Sequence, residues 1–153
     1  MGGYWRDEEQ TRSAITADGW IASSDLGRLD SGGNLVIIGR ADDAYIRGGY
    51  NIYPSEVEAA LASHPCVARV AVVGTAAPVI GEIGVAFVVS GDPGNPPAEA
   101  ELRAWCRERI ADYKVPDIVA LVTDLPVNAT FKVDIGQLKA TAGKLASERE
   151  RSA

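Results

Sequence analysis

Residues 39–58, GRADDAYIRGGYNIYPSEVE, constrain the fold more than any other part of this sequence. The pair Gly48-Gly49 follows a short apolar strand, Ala44 to Ile46, so the backbone there can adopt φ > 0 or let another molecule approach closely. Pro54 then begins a helix, because proline suits the first helical position. The stretch therefore predicts a hinge followed by a glycine turn that faces a ligand.

Composition indicates one compact globular protein. The 153 residues are 46% hydrophobic and 24% charged, which fits a single domain of roughly 100–150 residues. The net charge of −6 offers no basic surface for nucleic acid or an anionic membrane. No apolar run approaches the roughly 20 residues of a spanning helix, and the N-terminus lacks the features of a signal peptide. We expect a cytoplasmic protein with no nucleic-acid partner and no membrane span.

The pattern of apolar runs and breakers predicts an α+β fold. Two strands, Ile21 to Asp30 and Asn34 to Ile38, are predicted to form a β-hairpin around a Ser-Gly-Gly turn. A small antiparallel sheet of about three strands with flanking helices follows. Its strands are predicted near 68–73, 84–89 and 118–122, and its helices near 54–63, 98–111 and 134–146. Gly136 weakens the last helix, and we expect the charged tail after it to fray.

Several ordered blocks resemble the C-terminal end of adenylate-forming enzymes of the AMP-binding superfamily, in particular acyl-CoA synthetases. They are GWIASSDLGRLDSGGNLVIIGRADDAYIRGGYNIYPSEVEAAL, HPCVARVAVVG, GEIGVAFVV, YKVP and LPVNATFKVD. No segment resembles the phosphate loop or acyl pocket of the large N-terminal domain of such enzymes. The resemblance implies that residues 1–39 are a remnant of that domain, containing the β-hairpin, and that residues 40–153 form the C-terminal lid domain.

The resemblance implies that Lys132 is catalytic. Acyl adenylation brings a carboxylate to the α-phosphate of ATP, and a mobile ammonium group on a long stem can stabilise both anions. Without the resemblance, a solvated surface lysine would be the simplest interpretation. Phe131 stands where the family usually has Gly, and we expect it to restrict this loop.

Three residues near the predicted hinge carry further roles by resemblance. Asp25 matches the acid that binds the ribose hydroxyls, and a carboxylate can accept hydrogen bonds from two adjacent hydroxyls. Ser24, next to it, replaces a family Gly. Arg40 matches an arginine that reaches nucleotide oxygens, although it is equally well explained as a salt-bridge partner. Asp42 occupies the hinge position, and with Asp43 it lacks the further oxygens that a metal site needs.

The glycine turn is the predicted thiol-substrate contact. Gly48 and Gly49 would leave a channel for the pantetheine arm of CoA, and a tight turn alone would explain them nearly as well. Arg47, Tyr50 and Lys114 are weaker candidates for contacts to CoA phosphates or adenine.

The parent reaction implied by the resemblance is ATP- and Mg²⁺-dependent activation of a carboxylic acid to an acyl-AMP, followed by transfer to CoA. We expect this chain alone to be inactive and to bind none of these cofactors tightly, because the phosphate loop and acyl pocket are absent from it. Two alternatives remain. The chain complements a separate N-terminal half in trans, or it is a stand-alone interaction protein that self-associates through the region of Trp5 and Trp20.

Overall fold

A computed structural model describes residues 1–152, which contain two compact units, residues 1–42 and the part from Asp43 onward. In the first unit, helix α1 (Glu8–Ala14) begins after Asp7, whose carboxylate accepts the Gln10 N–H. Strands β1 (Asp25–Leu29) and β2 (Leu35–Arg40) form the predicted antiparallel hairpin. None of residues 1–42 is buried, so this unit has no core of its own.

The second unit is built on one five-stranded sheet. Its strands are β3 (Tyr45–Arg47), β4 (Tyr50–Ile52), β5 (Val67–Ala77), β6 (Gly81–Ser90) and β7 (Ile118–Val122). Strand β6 is central. It pairs antiparallel with β5 along one edge, and on the other edge it pairs with β3 at its start and with β7 along the rest.

Helices cover both faces of this sheet. They are α2 (Pro54–Ala62), α3 (Glu99–Arg107) and α4 (Ile135–Ser152). Alternate β6 side chains enter two cores: Ala86 and Val88 pack with residues of α2 and α3, whereas Val85 and Phe87 pack with residues of α4. Burial on both faces explains why β6 is a nearly continuous apolar run instead of an alternating one.

The α+β class is confirmed, and the sheet differs from the prediction in two respects. It has five strands where about three were expected, because the short strands β3 and β4 join it. It is mixed, because β7 runs parallel to β6. The loop and helix α3 between β6 and β7 return the chain to the same end of the sheet, as a parallel pair requires.

The last helix is longer than predicted, because α4 continues to Ser152, beyond the expected end near residue 146. Leu138, Ala142 and Ala146 are buried in the second core at helical spacing, which anchors the helix up to the tail. No helix within residues 1–152 combines the length and apolarity needed to cross a bilayer.

Candidate functional site

Lys132 lies on an exposed loop that one asparagine organises. The side-chain oxygen Oδ1 of Asn128 accepts the N–H groups of Thr130 and Lys132 at 3.0 and 3.1 Å, and its backbone carbonyl accepts the N–H of Phe131 at 2.9 Å. The Asn128 N–H in turn donates to the Lys132 carbonyl at 2.8 Å. Three consecutive N–H groups thus converge on a single residue, which fixes the backbone from which the Lys132 side chain projects.

The ends of this loop are held together and joined to helix α4. Val127 and Val133 form a β-bridge, and the Asp134 N–H donates to the Pro126 carbonyl at 2.8 Å. Asp134 also accepts the Gln137 N–H at 3.0 Å, as an N-cap residue does. The loop is therefore closed at its base and attached directly to a packed helix.

Arg40 lies between two carboxylates in the first unit. Asp25 and Arg40 are register partners across the β1–β2 hairpin, and their charged groups are 3.8 Å apart. A second contact of 3.7 Å joins Arg40 to Asp42. The structure thus brings these three predicted residues together. All three side chains are well exposed, so the ion pairs are screened and leave oxygen and nitrogen atoms accessible to a ligand.

The glycine pair closes the β3–β4 hairpin. Arg47 and Tyr50 are paired across it, and Gly48 and Gly49 have φ of 57° and 87°. Positive φ at both central residues is the signature of a type I′ turn, which only glycine adopts without strain here. A Cβ added at Gly49 would meet no atom of the described residues within 4 Å. The space beside Gly49 is therefore open to another molecule.

The three weaker candidates all have partners within the second unit. Arg47 donates two hydrogen bonds to Asp117, at 2.9 and 2.8 Å, which holds the glycine turn against the segment before β7. Lys114 donates to both carboxylate oxygens of Glu56, at 2.6 and 2.7 Å, and this hydrogen bonding raises the pKa of Lys114.

Tyr50, the third weaker candidate, stacks on Tyr113 with ring centroids 4.5 Å apart. The contacts of Arg47, Lys114 and Tyr50 therefore support the surface around the glycine turn.

Asn128 and Asp117, which position the predicted residues, were not predicted from the sequence. The Asn-x-Thr spacing of Asn128 and Thr130 is a local turn signal that could have identified Asn128. Asp117 is 70 positions from its partner Arg47, and no local rule connects the two. Within residues 1–152, no group of three or more His, Cys, Asp or Glu residues has the arrangement of a metal site.

Comparisons with known proteins agree on one family. The model of the AMP-binding enzyme C-terminal domain matches residues 56–132. A 3-[(3aS,4S,7aS)-7a-methyl-1,5-dioxo-octahydro-1H-inden-4-yl]propanoyl:CoA ligase of Mycobacterium tuberculosis is 47% identical over 139 residues, which are 91% of this chain and 27% of the ligase. A 2-succinylbenzoate–CoA ligase of Geobacillus kaustophilus is 45% identical over 90% of this chain and 28% of its own length.

Solved structures give the same result. ATP-bound MatB from Rhodopseudomonas palustris matches with a TM-score of 0.84 and 36% identity over 94% of this chain and 28% of that one. The o-succinylbenzoate CoA synthetase MenE from Bacillus subtilis, in complex with its acyl-adenylate OSB-AMP, matches with a TM-score of 0.81 and 38% identity over 91% and 28%. This chain thus spans little more than a quarter of the length of these relatives. It belongs to the AMP-binding enzyme C-terminal domain family.

Proposed function

We propose that this chain is the lid domain of an ATP-dependent acyl-CoA synthetase and that it supplies Lys132 to the adenylation of a carboxylic acid. The Asn128 loop is the observation that carries the proposal. It presents an exposed ammonium group on a pre-formed backbone, as a residue that enters an active site held by another domain must be presented.

The proposed reaction has two steps, and Lys132 acts in the first. In the first, a carboxylate oxygen attacks the α-phosphorus of ATP, and pyrophosphate leaves. The Lys132 ammonium would contact the carboxylate and the α-phosphate and stabilise the charge that builds between them. In the second, the sulfur of CoA attacks the acyl carbon, the bond between that carbon and the phosphate oxygen breaks, AMP leaves, and the thiol proton is released to solvent.

The other predicted residues fit separate parts of this sequence of steps. Asp25 and Arg40 would bind the nucleotide, the carboxylate at the ribose hydroxyls and the guanidinium at an oxygen atom. Asp42, at the end of the first unit, would be the hinge about which the lid changes pose between the half-reactions. Gly49 would border the path of the pantetheine arm, because the space beside it is open.

Mg²⁺ would accompany the phosphates of ATP. The described residues provide no cluster of three or more metal ligands for it, so we assign no step of this chain to the metal.

The test is carboxylate-dependent pyrophosphate exchange. It is measured for the purified chain alone, and for the chain mixed with or fused behind the part of the Mycobacterium ligase that precedes the matched region. Lys132→Ala is compared with Lys139→Ala, which removes another exposed lysine, on helix α4. We expect exchange only when the ligase part is present. Loss of the Lys132 ammonium should lower it by about 10²–10³, as removal of one preorganised stabilising group does, and Lys139→Ala should leave it unchanged.

Other outcomes separate the alternatives. Exchange in the fusion but not in the mixture would exclude complementation in trans while leaving the lid function intact. No exchange in either, together with concentration-dependent association of the chain alone by analytical ultracentrifugation, would favour an interaction protein.

A further inference from the structure

Phe131, directly before Lys132, combines exposure with an unfavourable backbone conformation. Its φ of 60° lies in the left-handed region, and its side chain is 90% exposed. Aromatic residues adopt this conformation only at a cost in energy, and a ring so exposed regains little of that energy by packing within the domain. Packing of the ring therefore does not stabilise this conformation, and its cause lies elsewhere.

The cause of the conformation is the loop itself. The Phe131 N–H donates to the Asn128 carbonyl at 2.9 Å, between the bonds that hold Thr130 and Lys132 to the same residue. Phe131 cannot leave the left-handed region without breaking this set. The loop thus presents an aromatic ring and an ammonium group from consecutive positions, with their Cα atoms about 3.8 Å apart.

Two further apolar side chains are exposed on this segment, next to the polar residues Asn128 and Thr130. Val127 and Ile135, on either side of the loop, expose 50% and 39% of their surface. An ammonium group carried on such a segment would enter a site together with surface that excludes water. Exclusion of water strengthens the interaction of the ammonium with phosphate and carboxylate oxygens.

We propose that Phe131 is a shielding residue whose ring covers the acyl-adenylate and keeps water from its acyl carbon. This inference rests on the proposed function. Attack of water at the acyl carbon would break the bond between that carbon and the phosphate oxygen and release the free acid, AMP and a proton. Because Phe131 directly precedes Lys132 and its ring is exposed, the ring would enter the site together with the ammonium. There it would lie over the group to which Lys132 binds and occupy the space from which water would attack.

The test measures leakage of the intermediate in the fusion that carries the full chain. The leakage ratio is the rate of AMP release in the absence of thiol divided by the rate of pyrophosphate exchange. A general loss of activity lowers both rates and cancels in this ratio. Phe131→Gly and Phe131→Asn both remove the ring and keep a residue that tolerates positive φ, whereas Phe131→Tyr keeps a ring. We expect the Gly and Asn variants to leak several-fold more than the unsubstituted fusion, and the Tyr variant to resemble it.

Val79→Gly is the matched control, because Val79 also has positive φ, at 69°, and is fully exposed, on the turn between β5 and β6. Its leakage ratio should not change. Unchanged leakage in the Phe131→Gly and Phe131→Asn variants would overturn the shielding role, as would an equal rise in these two and in Phe131→Tyr. Faster thioester formation without leakage would also overturn it, because it would show that the ring only obstructs the site. In each of these cases exchange by the unsubstituted fusion persists. Its absence would remove the proposed function, and this inference with it.

Discussion

Backbone strain within residues 1–152 lies at four non-glycine residues with positive φ: Arg6, Ser24, Val79 and Phe131. Ser24 and Phe131 are the two positions at which the resemblance leads us to expect a glycine, and their φ values, 61° and 60°, are those that glycine adopts freely. Both loops thus hold a non-glycine residue in a conformation that favours glycine. The backbone is hydrogen-bonded at both positions: the Ser24 carbonyl accepts the Ala41 N–H, and the Phe131 N–H donates to the Asn128 carbonyl, each at 2.9 Å.

Phe131→Gly should therefore make the chain more stable. Relief of the left-handed strain exceeds the entropy that glycine adds to the unfolded state, and we expect the free energy of unfolding to rise by about 1 kcal/mol. Urea denaturation of the isolated chain measures this without any enzyme assay. A lower free energy of unfolding would mean that the ring packs on the domain in solution, which would also remove the argument for its role over a ligand.

Glu58 gives a pH dependence with a definite sign. Burial raises its pKa above the ordinary 4.5, the hydrogen bond from the Val72 N–H at 2.9 Å opposes this, and the charge of Asp43 adds to the rise. The folded state therefore binds this proton more tightly than the unfolded state does. The ionised carboxylate costs stability above the raised pKa, and that cost disappears as the pH falls through the raised pKa to below 4.5.

Glu58→Gln should remove this dependence, because an amide oxygen can still accept the Val72 N–H without a charge. We expect the variant to be more stable than the parent at neutral pH, with the difference shrinking as the pH approaches 4.5. Urea denaturation over a pH series measures it. A difference that stays constant with pH would show that the charge of Glu58 is not the cause.

At the scale of elements, one side chain fastens the start of the second unit to its sheet. Tyr45 is only 2% exposed and lies across the cross-strand pair Gly74–Gly84 of β5 and β6. A Cβ on Gly74 would overlap the Tyr45 Cβ, and one on Gly84 would overlap its hydroxyl. That hydroxyl is buried without a hydrogen-bond partner in the described part of the chain. Tyr45 is thus held in place by its packing on the sheet, and any hinge is confined to the positions before it.

Tyr45→Phe should raise the free energy of unfolding by about 1 kcal/mol, because it removes a buried hydroxyl whose desolvation is not compensated. The aromatic ring remains in place over Gly74 and Gly84. Thermal and urea denaturation measure the change, and a loss of stability would mean that a water molecule or a moved group satisfies the hydroxyl in solution.

Gly74 and Gly84, the two glycines that the Tyr45 side chain contacts, provide a matched pair of tests. Gly84→Ala should cost about 1–3 kcal/mol through overlap with the hydroxyl, and should cost less in the Tyr45→Phe background, where that atom is gone. Gly74→Ala meets the Tyr45 Cβ, which both backgrounds share, so its cost should be the same in each. If Tyr45→Phe changed the cost of both Gly→Ala substitutions equally, the result would contradict this geometry.

Local patterns predicted most elements, and contacts distant in sequence decided the rest. Helix α2 was predictable because Pro54 starts it and Val57, Ala60 and Leu61 repeat at helical spacing. The antiparallel direction predicted for β7 was wrong, although a long connection that contains a helix, as between β6 and β7, is typical of a parallel pair.

At the site, the resemblance pointed to Lys132, Asp25, Arg40 and Gly49, and their roles stay predictions. Tyr45, Gly74 and Gly84 form one contact from three separate segments. Only the folded sheet brings them together.

At the scale of the whole molecule, the two units differ in what holds them together. The unit that begins at Asp43 has a sheet with a core on each face, whereas residues 1–42 contain no buried residue. Trp5 and Trp20, in the first unit, are 87% and 73% exposed. Trp105, in the second, donates a hydrogen bond to the Ala60 carbonyl and packs against His64.

A chain of residues 43–153 should therefore fold by itself, and residues 1–42 should not. The denaturant m-value scales with the surface exposed on unfolding, and the first unit has little to expose. We expect the shortened chain to unfold in one transition with nearly the same midpoint and m-value as the full chain, followed by circular dichroism and by Trp105 fluorescence. Residues 1–42 should show no cooperative transition.

A markedly lower midpoint for the shortened chain would show that the first unit stabilises the second. If it does not, the proposed hinge at Asp42 joins a second unit that is stable by itself to a first unit without a core. The exposed apolar side chains of the first unit would then be available for contact with another surface, and movement at the proposed hinge would leave the core of the second unit intact.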